Sequence, residues 1–189
     1  MVSPPVLSCR MPDVIPLSPC VSCLLAYDRD EMRAPFQVLV IPFRRTANGL
    51  EFAVLRRSDD DCWQFVAGGG DEVETPIQAA GRETREETGL QGEVLPLDSI
   101  ASIPKDCFAS GESWGDDVLV IPEYCFAVDA GDSTITLSGE HTEFQWLPYK
   151  QASSLLKWDS NRTALWELNE RLKRTQPILI AVDSSTPKL

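Results

Sequence analysis

Basic residues are scarce in this chain relative to acidic ones. The 189 residues include 17 Lys and Arg against 29 Asp and Glu, which gives a net charge of −12 at pH 7. A surface of this sign repels the phosphates of a duplex, so we expect no nucleic acid polymer among its partners. The sequence also lacks apolar runs long enough to span a bilayer, and we expect no membrane association.

Histidine is nearly absent, and His141 is the only one in the chain. Of the six cysteines, Cys20 and Cys23 form a C-x-x-C with Cys9 upstream. Because neither a second pair nor a histidine follows nearby, we interpret this spacing as coincidence and not as a zinc or redox site. An export signal is lacking as well, which favours free thiols and a cytoplasmic location.

The first 31 residues carry little pattern of a folded segment. Five prolines interrupt any helical or strand period there, at positions 4, 5, 12, 16 and 19. We therefore expect residues 1–31 to be a disordered leader or a non-native upstream extension. Residues 32–175 should form one domain and residues 176–189 a loose C-terminal tail, and the sequence leaves the oligomeric state open.

The strongest pattern lies between Gly68 and Leu90, GGGDEVETPIQAAGRETREETGL. Thr75 followed by Pro76 predicts the start of a helix, because Thr is a favoured N-cap and Pro suits the first helical position. Gln78, three residues after Thr75, completes a capping box. Gly89 predicts the end of the helix.

This helix carries three carboxylates, Glu83, Glu86 and Glu87, at i, i+3 and i+4, which places them on one patch of its surface. Like charges about 4 Å apart cost about 1 kcal/mol in water and about 4 kcal/mol near a protein surface. A hard divalent cation reverses that sign, and this oxygen-only ligand set favours Mg²⁺ or Mn²⁺ over Zn²⁺. The alternative is a solvated acidic face paired with Arg82 and Arg85.

The spacing of the whole stretch resembles the Nudix box, G-x5-E-x7-R-E-U-x-E-E-x-G-U, in which U is a bulky aliphatic residue. The matching positions are Gly68, Glu74, Arg82, Glu83, Glu86, Glu87, Gly89 and Leu90. Thr84 departs from the pattern, because it occupies a position where the box has a bulky aliphatic residue. This departure affects the expected packing of the helix more than the expected chemistry. The resemblance implies an α/β (α+β) fold, the Nudix-type α/β/α sandwich with a mixed β-sheet, and a metal-dependent hydrolase.

The remaining segments predict a sheet and two further helices around the box. We predict strands at 36–43, 50–55, 62–65, 93–103 and 118–128, a short strand at 135–137 and helices at 149–156 and 161–174. The residues at 47–49 should close a hairpin, and Gly68 to Gly70 should form a turn. The apolar run at 177–181 could add an edge strand.

A polar loop, CFASGESWGDD, joins the two longest predicted strands after the box. Loops of this length in a compact domain are often functional. Phe108 and Trp114 could stack there on the flat ring of a substrate, or they could fold back and pack locally. Both interpretations stay open on the sequence alone.

Two further stretches look like segments of the dihydroneopterin triphosphate pyrophosphatases, a group within the Nudix hydrolases. One is LRRSDDDCWQF at 55–65, and the other runs from Glu140 to Leu172. The second contains E-H followed by W-L at 146–147, and WDSNR at 158–162, where that group carries W-S-N-R. Together with the box, the resemblance covers most of residues 36–174.

The family pattern implies roles for individual residues. It places Glu83, Glu86 and Glu87 on the metal ions, with the backbone carbonyl of Ala67 as a further ligand. The base for the attacking water is then Glu83 or a loop glutamate, for which Glu140 is our candidate. Glu123 and Glu143 are the alternatives to Glu140.

Other residues receive supporting roles from the same pattern. Arg82 should pair with Glu74 and hold the helix against the Gly-rich segment, and Gly68 and Gly89 are structural box positions. His141 is more consistent with orienting a neighbour than with direct catalysis. Candidates for the phosphates are Arg57, Lys105 and Arg162, with surface solvation as the alternative for each.

The expected reaction is Mg²⁺-dependent or Mn²⁺-dependent hydrolysis of a nucleoside or pterin triphosphate to the monophosphate and pyrophosphate. The partner is then a small-molecule di- or triphosphate. Two alternatives remain: hydrolysis of another diphosphate, such as ADP-ribose or a dinucleoside polyphosphate, and a non-catalytic module that senses a nucleotide. Loss of a box glutamate would favour the non-catalytic sensing module, but every glutamate of the box is present.

Overall fold

The computed structural model describes residues 33–174. Its strands are β1 (Arg33–Thr46), β2 (Gly49–Arg57), β3 (Trp63–Gln64), β4 (Val66–Asp71), β5 (Val94–Pro104), β6 (Val120–Asp129) and β7 (His141–Leu147). Its α-helices are α1 (Pro76–Thr88), α2 (Tyr149–Leu155) and α3 (Asp159–Arg174), and two 3₁₀ turns span Lys105–Cys107 and Ala109–Trp114. The predicted leader at 1–31, the tail at 176–189 and the edge strand at 177–181 lie outside the described residues.

The seven strands form one mixed sheet with β1 at its centre. On one side β1 pairs antiparallel with β2 and β4, and on the other it pairs parallel with β6, from Gln37 opposite Glu123 to Phe43 opposite Asp129. The predicted hairpin is confirmed, because Thr46 pairs with Gly49 across a two-residue turn. The remaining strand pairs are antiparallel, with β5 on β6 and both β3 and β7 on β2.

The central strand alternates its buried side chains between two apolar layers, as the twofold period of a strand requires. Leu39 and Ile41 pack in the layer that contains residues of α2 and α3, whereas Val38 and Val40 pack in the layer that contains residues of α1. All four are fully buried. Helices thus cover both faces of a mixed sheet, and the predicted α/β/α sandwich is confirmed.

Helix α1 begins and ends where the sequence predicts. The Thr75 backbone N–H donates to Gln78 Oε1 at 2.9 Å, and Gly89 adopts a left-handed φ of 70° that non-glycine residues avoid. Thr84 is buried, and its hydroxyl donates to the Ala80 carbonyl at 2.7 Å, so its polar atom is satisfied within the helix. Among residues 33–174, every helix is too short or too polar to cross a lipid bilayer.

The predicted turn at Gly68 to Gly70 is wrong, because these glycines lie in β4 and pair with β1. The turn follows them, with the Glu74 N–H donating to the Asp71 carbonyl at 3.0 Å. Glycine weakens a strand in general, but here missing side chains leave space for neighbouring groups. A Cβ on Gly70, for example, would lie 1.9 Å from the Phe36 ring.

The predicted short strand at Ile135 and Leu137 is also wrong, since this segment runs without a strand partner. Its amides bond the end of α1 instead: the Thr136 N–H donates to the Thr88 carbonyl at 2.9 Å and the Ser138 N–H to the Glu87 carbonyl at 3.2 Å. These carbonyls have no partner within the helix. The segment therefore caps α1 and carries the chain towards Glu140.

Candidate active site

A cleft on one side of the sheet consists of two adjoining cavities. We call the first, of about 450 Å³, the carboxylate cavity; its lining includes Gly68 to Asp71, Arg82, Glu83, Glu86 and Glu140. We call the second, of about 670 Å³, the sheet cavity; its lining includes Gln64, Ala101, Ile103, Glu123, Trp158, Ser160 and Asn161. Gln37, Arg57, Ala67, Cys107 and Phe108 line both, so the two cavities adjoin.

Arg82 ties α1 to the Gly-rich strand. Its Nη2 lies 2.8 Å from Glu74 Oε2 and 2.8 Å from the Gly69 carbonyl oxygen. Its Nη1 lies 2.9 Å from Glu83 Oε1 and 3.3 Å from Glu86 Oε2. One guanidinium thus contacts Glu74, two glutamates of α1 and the backbone of β4, an arrangement that its rigid fork of donors favours.

Gly68 allows the helix to approach the sheet closely. A Cβ at this position would lie 2.0 Å from the carboxyl carbon of Glu83 and 2.1 Å from its Oε1. Since real Cβ contacts do not occur below 3.0 Å, any other residue would displace that carboxylate. The first box glycine is therefore required by the position of Glu83.

Burial makes two of the box glutamates unusual acids. Burial raises the pKa of Glu87 to about 9, and the nearby Glu83 and Glu140 add to that shift. The pKa of Glu83 is also raised by burial, against the opposing effect of Arg82. Glu86 is more exposed, with 43% of its side chain accessible. Burial and mutual repulsion therefore oppose ionisation of Glu83 and Glu87 at the same time, and Glu87 keeps its proton at pH 7.

His141 lies beside Glu87 at the bottom of this region. Its Nε2 is 3.6 Å from Glu87 Oε2, which is beyond hydrogen-bond distance, and both side chains are buried. Burial lowers the pKa of His141 to about 4, so the ring is neutral at pH 7. The ring packs against the carboxyl of Glu87 and does not line either cavity among the residues described.

The donor chemistry of the carboxylate cavity fits a hard divalent cation. Within residues 33–174 the side chains do not form a preassembled shell of three or more Asp, Glu, His or Cys groups, and Arg82 instead bridges Glu83 and Glu86. The buried Oε2 of Glu87 has no hydrogen-bond partner. Carboxylate oxygens that repel one another, one of them unpaired, are the ligands that Mg²⁺ or Mn²⁺ prefers.

Besides Glu83, three glutamates are candidates for the catalytic base, and they occupy different places. Glu140 lines the carboxylate cavity with Glu83, and the Ser58 N–H donates to its carbonyl at 2.9 Å. Glu123 lines the sheet cavity, on the other side of Gln37. Glu143 pairs with Arg56 at the surface, outside both cavities as far as the described residues define them.

The candidate phosphate ligands are also separated. Arg57 lines both cavities and pairs with Asp59, whose pKa it lowers to about 2. Arg162 contacts Asp159 and the Leu156 carbonyl, and Lys105 Nζ lies 2.8 Å from the Gly115 carbonyl oxygen. Neither Arg162 nor Lys105 lines the two cavities in the described part of the chain.

The two loop aromatics pack against each other, with ring centroids 5.7 Å apart. Trp114 Nε1 donates to the Arg33 carbonyl at 2.6 Å, and the Arg33 guanidinium lies over the Phe108 ring at 4.8 Å. Phe108 lines both cavities, whereas Trp114 is held behind it by this local contact. Of the two rings, Phe108 is the one placed where a substrate could stack.

Several cleft residues escaped the sequence prediction. They are Arg33, Gln37, Gln64 and Asn161. A signal existed for two of them: Gln37 is the only polar residue in the run FQVLVIPF, and Asn161 belongs to WDSNR. Asn161 is buried, and its Oδ1 accepts from the Phe65 N–H at 3.1 Å, which joins the start of α3 to the sheet.

Known proteins are similar to this chain in sequence and in fold. The NUDIX domain model matches residues 35–167. A dihydroneopterin triphosphate diphosphatase from Escherichia coli (strain K12) is 29% identical over 137 residues, which cover 70% of this chain and 91% of that protein. An octanoyltransferase from Myxococcus xanthus is 34% identical over 101 residues, but the match spans only 26% of its length.

Two solved structures resemble the chain over most of their own length. A protein from Listeria monocytogenes, provisionally assigned as a NUDIX hydrolase, has a TM-score of 0.68 and 50% identity; the match covers 75% of this chain and 96% of that one. The Escherichia coli dihydroneopterin triphosphate pyrophosphohydrolase has a TM-score of 0.59 and 26% identity. The match covers 72% of this chain and 97% of that one. The chain belongs to the NUDIX domain family and is, by family, a Nudix hydrolase, an enzyme that acts on phosphorus-containing acid anhydrides.

Proposed function

We propose that this enzyme hydrolyses a nucleoside or pterin triphosphate to the monophosphate and pyrophosphate, with Mg²⁺ or Mn²⁺ as cofactor. The observation that carries the proposal is that the two cavities adjoin and share five lining residues. A cavity rich in carboxylates, suited to cations and phosphates, lies next to a larger one of about 670 Å³, within the range of small-molecule sites. The similarity to dihydroneopterin triphosphate diphosphatase supports the same substrate class.

In this proposal Glu83, Glu86 and Glu87 hold the cation, and the Ala67 carbonyl is a further ligand. A divalent cation held by these residues would offset the negative charge of the substrate phosphates and would lower the pKa of a bound water. Arg82 keeps Glu83 and Glu86 on the side of α1 that faces β4. Arg57, at the junction of the two cavities, contacts the phosphate nearest the heterocycle.

The reaction is the addition of water to phosphorus with loss of pyrophosphate. Glu140 takes a proton from water as the new P–O bond forms, and the P–O bond to the departing pyrophosphate breaks. Its place beside Glu83 in the carboxylate cavity makes it the better candidate than Glu123 or Glu143. The non-phosphate end of the substrate then lies in the sheet cavity against Phe108.

The test is a panel of triphosphates, ADP-ribose and dinucleoside polyphosphates, with pyrophosphate and phosphate measured separately and chelator as the metal-free condition. We expect pyrophosphate from dihydroneopterin triphosphate or purine deoxynucleoside triphosphates, abolished by chelation. Glu86→Gln and Glu87→Gln should each cost roughly 3 kcal/mol of transition-state stabilisation with the fold intact. The matched control is Glu93→Gln, an exposed residue outside the cleft.

Three results would contradict the proposal in different ways. Turnover of ADP-ribose or dinucleoside polyphosphates with inert triphosphates would replace the substrate class. Full activity of either glutamine variant at saturating Mg²⁺ would remove the metal-binding role. Nucleotide binding without any hydrolysis would make the chain a sensing module.

A further inference from the structure

A row of paired residues crosses four strands and links the linings of the two cavities. Gln37 on β1 lies opposite Gly69 on β4 and opposite Glu123 on β6, and Glu123 lies opposite Ala101 on β5. Residues opposite each other in a sheet point to the same face. The row therefore runs from the Gly-rich strand of the carboxylate cavity, through Gln37, to Glu123 and Ala101 in the sheet cavity.

Glu123 is the charged member of this row, and nothing in the proposed reaction uses it. It is only 5% exposed, and its Oε2 is buried without a hydrogen-bond partner. Ala101 beside it is small, which leaves the cavity open above the carboxyl group. A buried carboxyl oxygen without a partner is costly, and such groups in folded proteins call for an explanation.

We infer that the sheet cavity receives the flat heterocycle of the substrate and that Glu123 accepts hydrogen bonds from a ring N–H and the adjacent exocyclic amino group, the edge shared by pterin and guanine. This inference rests on the function proposed above. It makes Glu123 a specificity-determining residue, distinct from the glutamates that we propose as metal ligands and catalytic base.

The chemistry of the cavity fits this edge. A carboxylate offers only acceptors, and a ring N–H beside an amino group offers two neighbouring donors, so the pair can form two parallel hydrogen bonds. Burial raises the pKa of Glu123, and hydrogen bonding from Ser160 opposes that rise. Two further hydrogen-bond donors from the ligand would, like Ser160, favour the ionised form of Glu123.

The remaining lining is consistent with a flat ring. Phe108 and Ile103 contribute apolar surface, and Trp158 lies at the cavity with its side chain partly exposed. Gln64 and Asn161 add amide groups from β3 and α3. The phosphates of a ring bound here would extend past Gln37 and Arg57, which line both cavities, towards Glu83.

The experiment measures binding without catalysis. Calorimetry with the full chain gives the Kd of dGMP, dIMP and dAMP, which share the sugar and phosphate and differ at the base edge. dIMP lacks only the 2-amino group of dGMP. The variants are Glu123→Gln, Phe108→Leu and, as a matched control on a neighbouring strand, Glu51→Gln, which pairs with Arg44 away from the cleft.

We expect wild type and Glu51→Gln to bind dGMP at least about 10-fold more tightly than dIMP or dAMP, the loss typical of one hydrogen bond to a charged group. In Glu123→Gln the dGMP to dIMP ratio should fall to within about threefold, and dAMP should gain, since an amide can pair with the adenine edge. Phe108→Leu should weaken all three ligands by similar factors and keep their ratios, because stacking tolerates any base.

The inference is overturned if Glu123→Gln keeps the wild-type ratio, or if wild type fails to prefer dGMP or fails to bind it in the millimolar range. Ala101→Leu provides a second test should Glu123→Gln not fold, because the larger side chain fills the cavity beside Glu123 and should exclude all three ligands. Unchanged binding in that variant would also overturn it. Triphosphate hydrolysis is assayed separately, so inert triphosphates with Glu123-dependent binding contradict the proposed function and not this inference.

Discussion

Gly68→Ala tests whether close packing of α1 on β4 sets the position of the Glu83 carboxylate, which we propose as a metal ligand. The new Cβ would lie 2.0 Å from the carboxyl carbon of Glu83, whereas ordinary contacts begin at 3.4 Å. The carboxyl group must therefore move by more than about 1 Å, and a misplacement of that size can lower a rate about 100-fold, or about 2.7 kcal/mol. The atoms that clash form the end of a flexible side chain, so the fold should survive.

The assay compares kcat/KM and the free energy of unfolding in wild type, Gly68→Ala and Gly81→Ala. We expect Gly68→Ala to lose activity about 100-fold and to lose no more than about 1 to 3 kcal/mol of stability, the usual range for an overpacked contact. Gly81→Ala is the control glycine substitution, placed on the helix that carries Glu83, because its Cβ would meet its nearest atom at 3.5 Å. It should keep full activity and gain up to about 1 kcal/mol, as alanine favours a helix interior.

Two outcomes would refute this reasoning. Activity of Gly68→Ala within about threefold of wild type would mean that the position of Glu83 against β4 does not matter for the rate. An equal loss of activity in Gly81→Ala would mean that any added methyl group on α1 disturbs the enzyme. The first result would also weaken the assignment of Glu83 as a metal ligand.

Three further predictions follow from other contacts. Arg82→Lys keeps the charge but cannot reproduce the contacts to Glu74 and the Gly69 carbonyl at once, so kcat/KM should fall about 10- to 100-fold, measured at saturating Mg²⁺. Asn161→Ala leaves the Phe65 N–H without its acceptor and should cost about 1 to 3 kcal/mol in denaturant unfolding; no change would show that water replaces the amide. Burial raises the pKa of Glu123 in the folded state, so the folded protein binds this proton more tightly than the unfolded chain does. The free energy of unfolding should therefore fall as the pH rises above the pKa that Glu123 has in the unfolded chain. Glu123→Gln should remove that part of the decline in melting temperature between acid and neutral pH, and an identical pH profile would contradict it.

The sequence predicted best the features that depend on neighbours along the chain. The hairpin after β1 needs a two-residue turn, and α1 needs Thr75, Pro76 and Gly89 at its ends; each signal lies within a few residues of its effect. The spacing of the three box carboxylates predicts one helix face for the same reason. Their unequal burial was not predictable, because it depends on the strand that packs against them.

The errors arose where long-range contacts determine the local structure. Gly68 to Gly70 favour a turn by composition, but β4 uses them as a strand because Glu83 and other groups need the space. Ile135 looks like part of a strand, yet its neighbours bond the carbonyls at the end of α1. The environment of Glu123 was likewise not predictable from the sequence, because it depends on the pairing of β1 with β6, which joins distant parts of the chain.

That pairing, of β1 with β6, has a consequence for how the enzyme folds. The two strands run parallel, so a hairpin cannot join them, and Gln37 meets Glu123 only after β4, α1 and β5 have been made. Contacts between distant segments form late because a long loop must close first. A nascent chain that ends before Val120 therefore leaves one edge of β1 unpaired, and the two cavities of the cleft come together only when the second half of the domain has emerged.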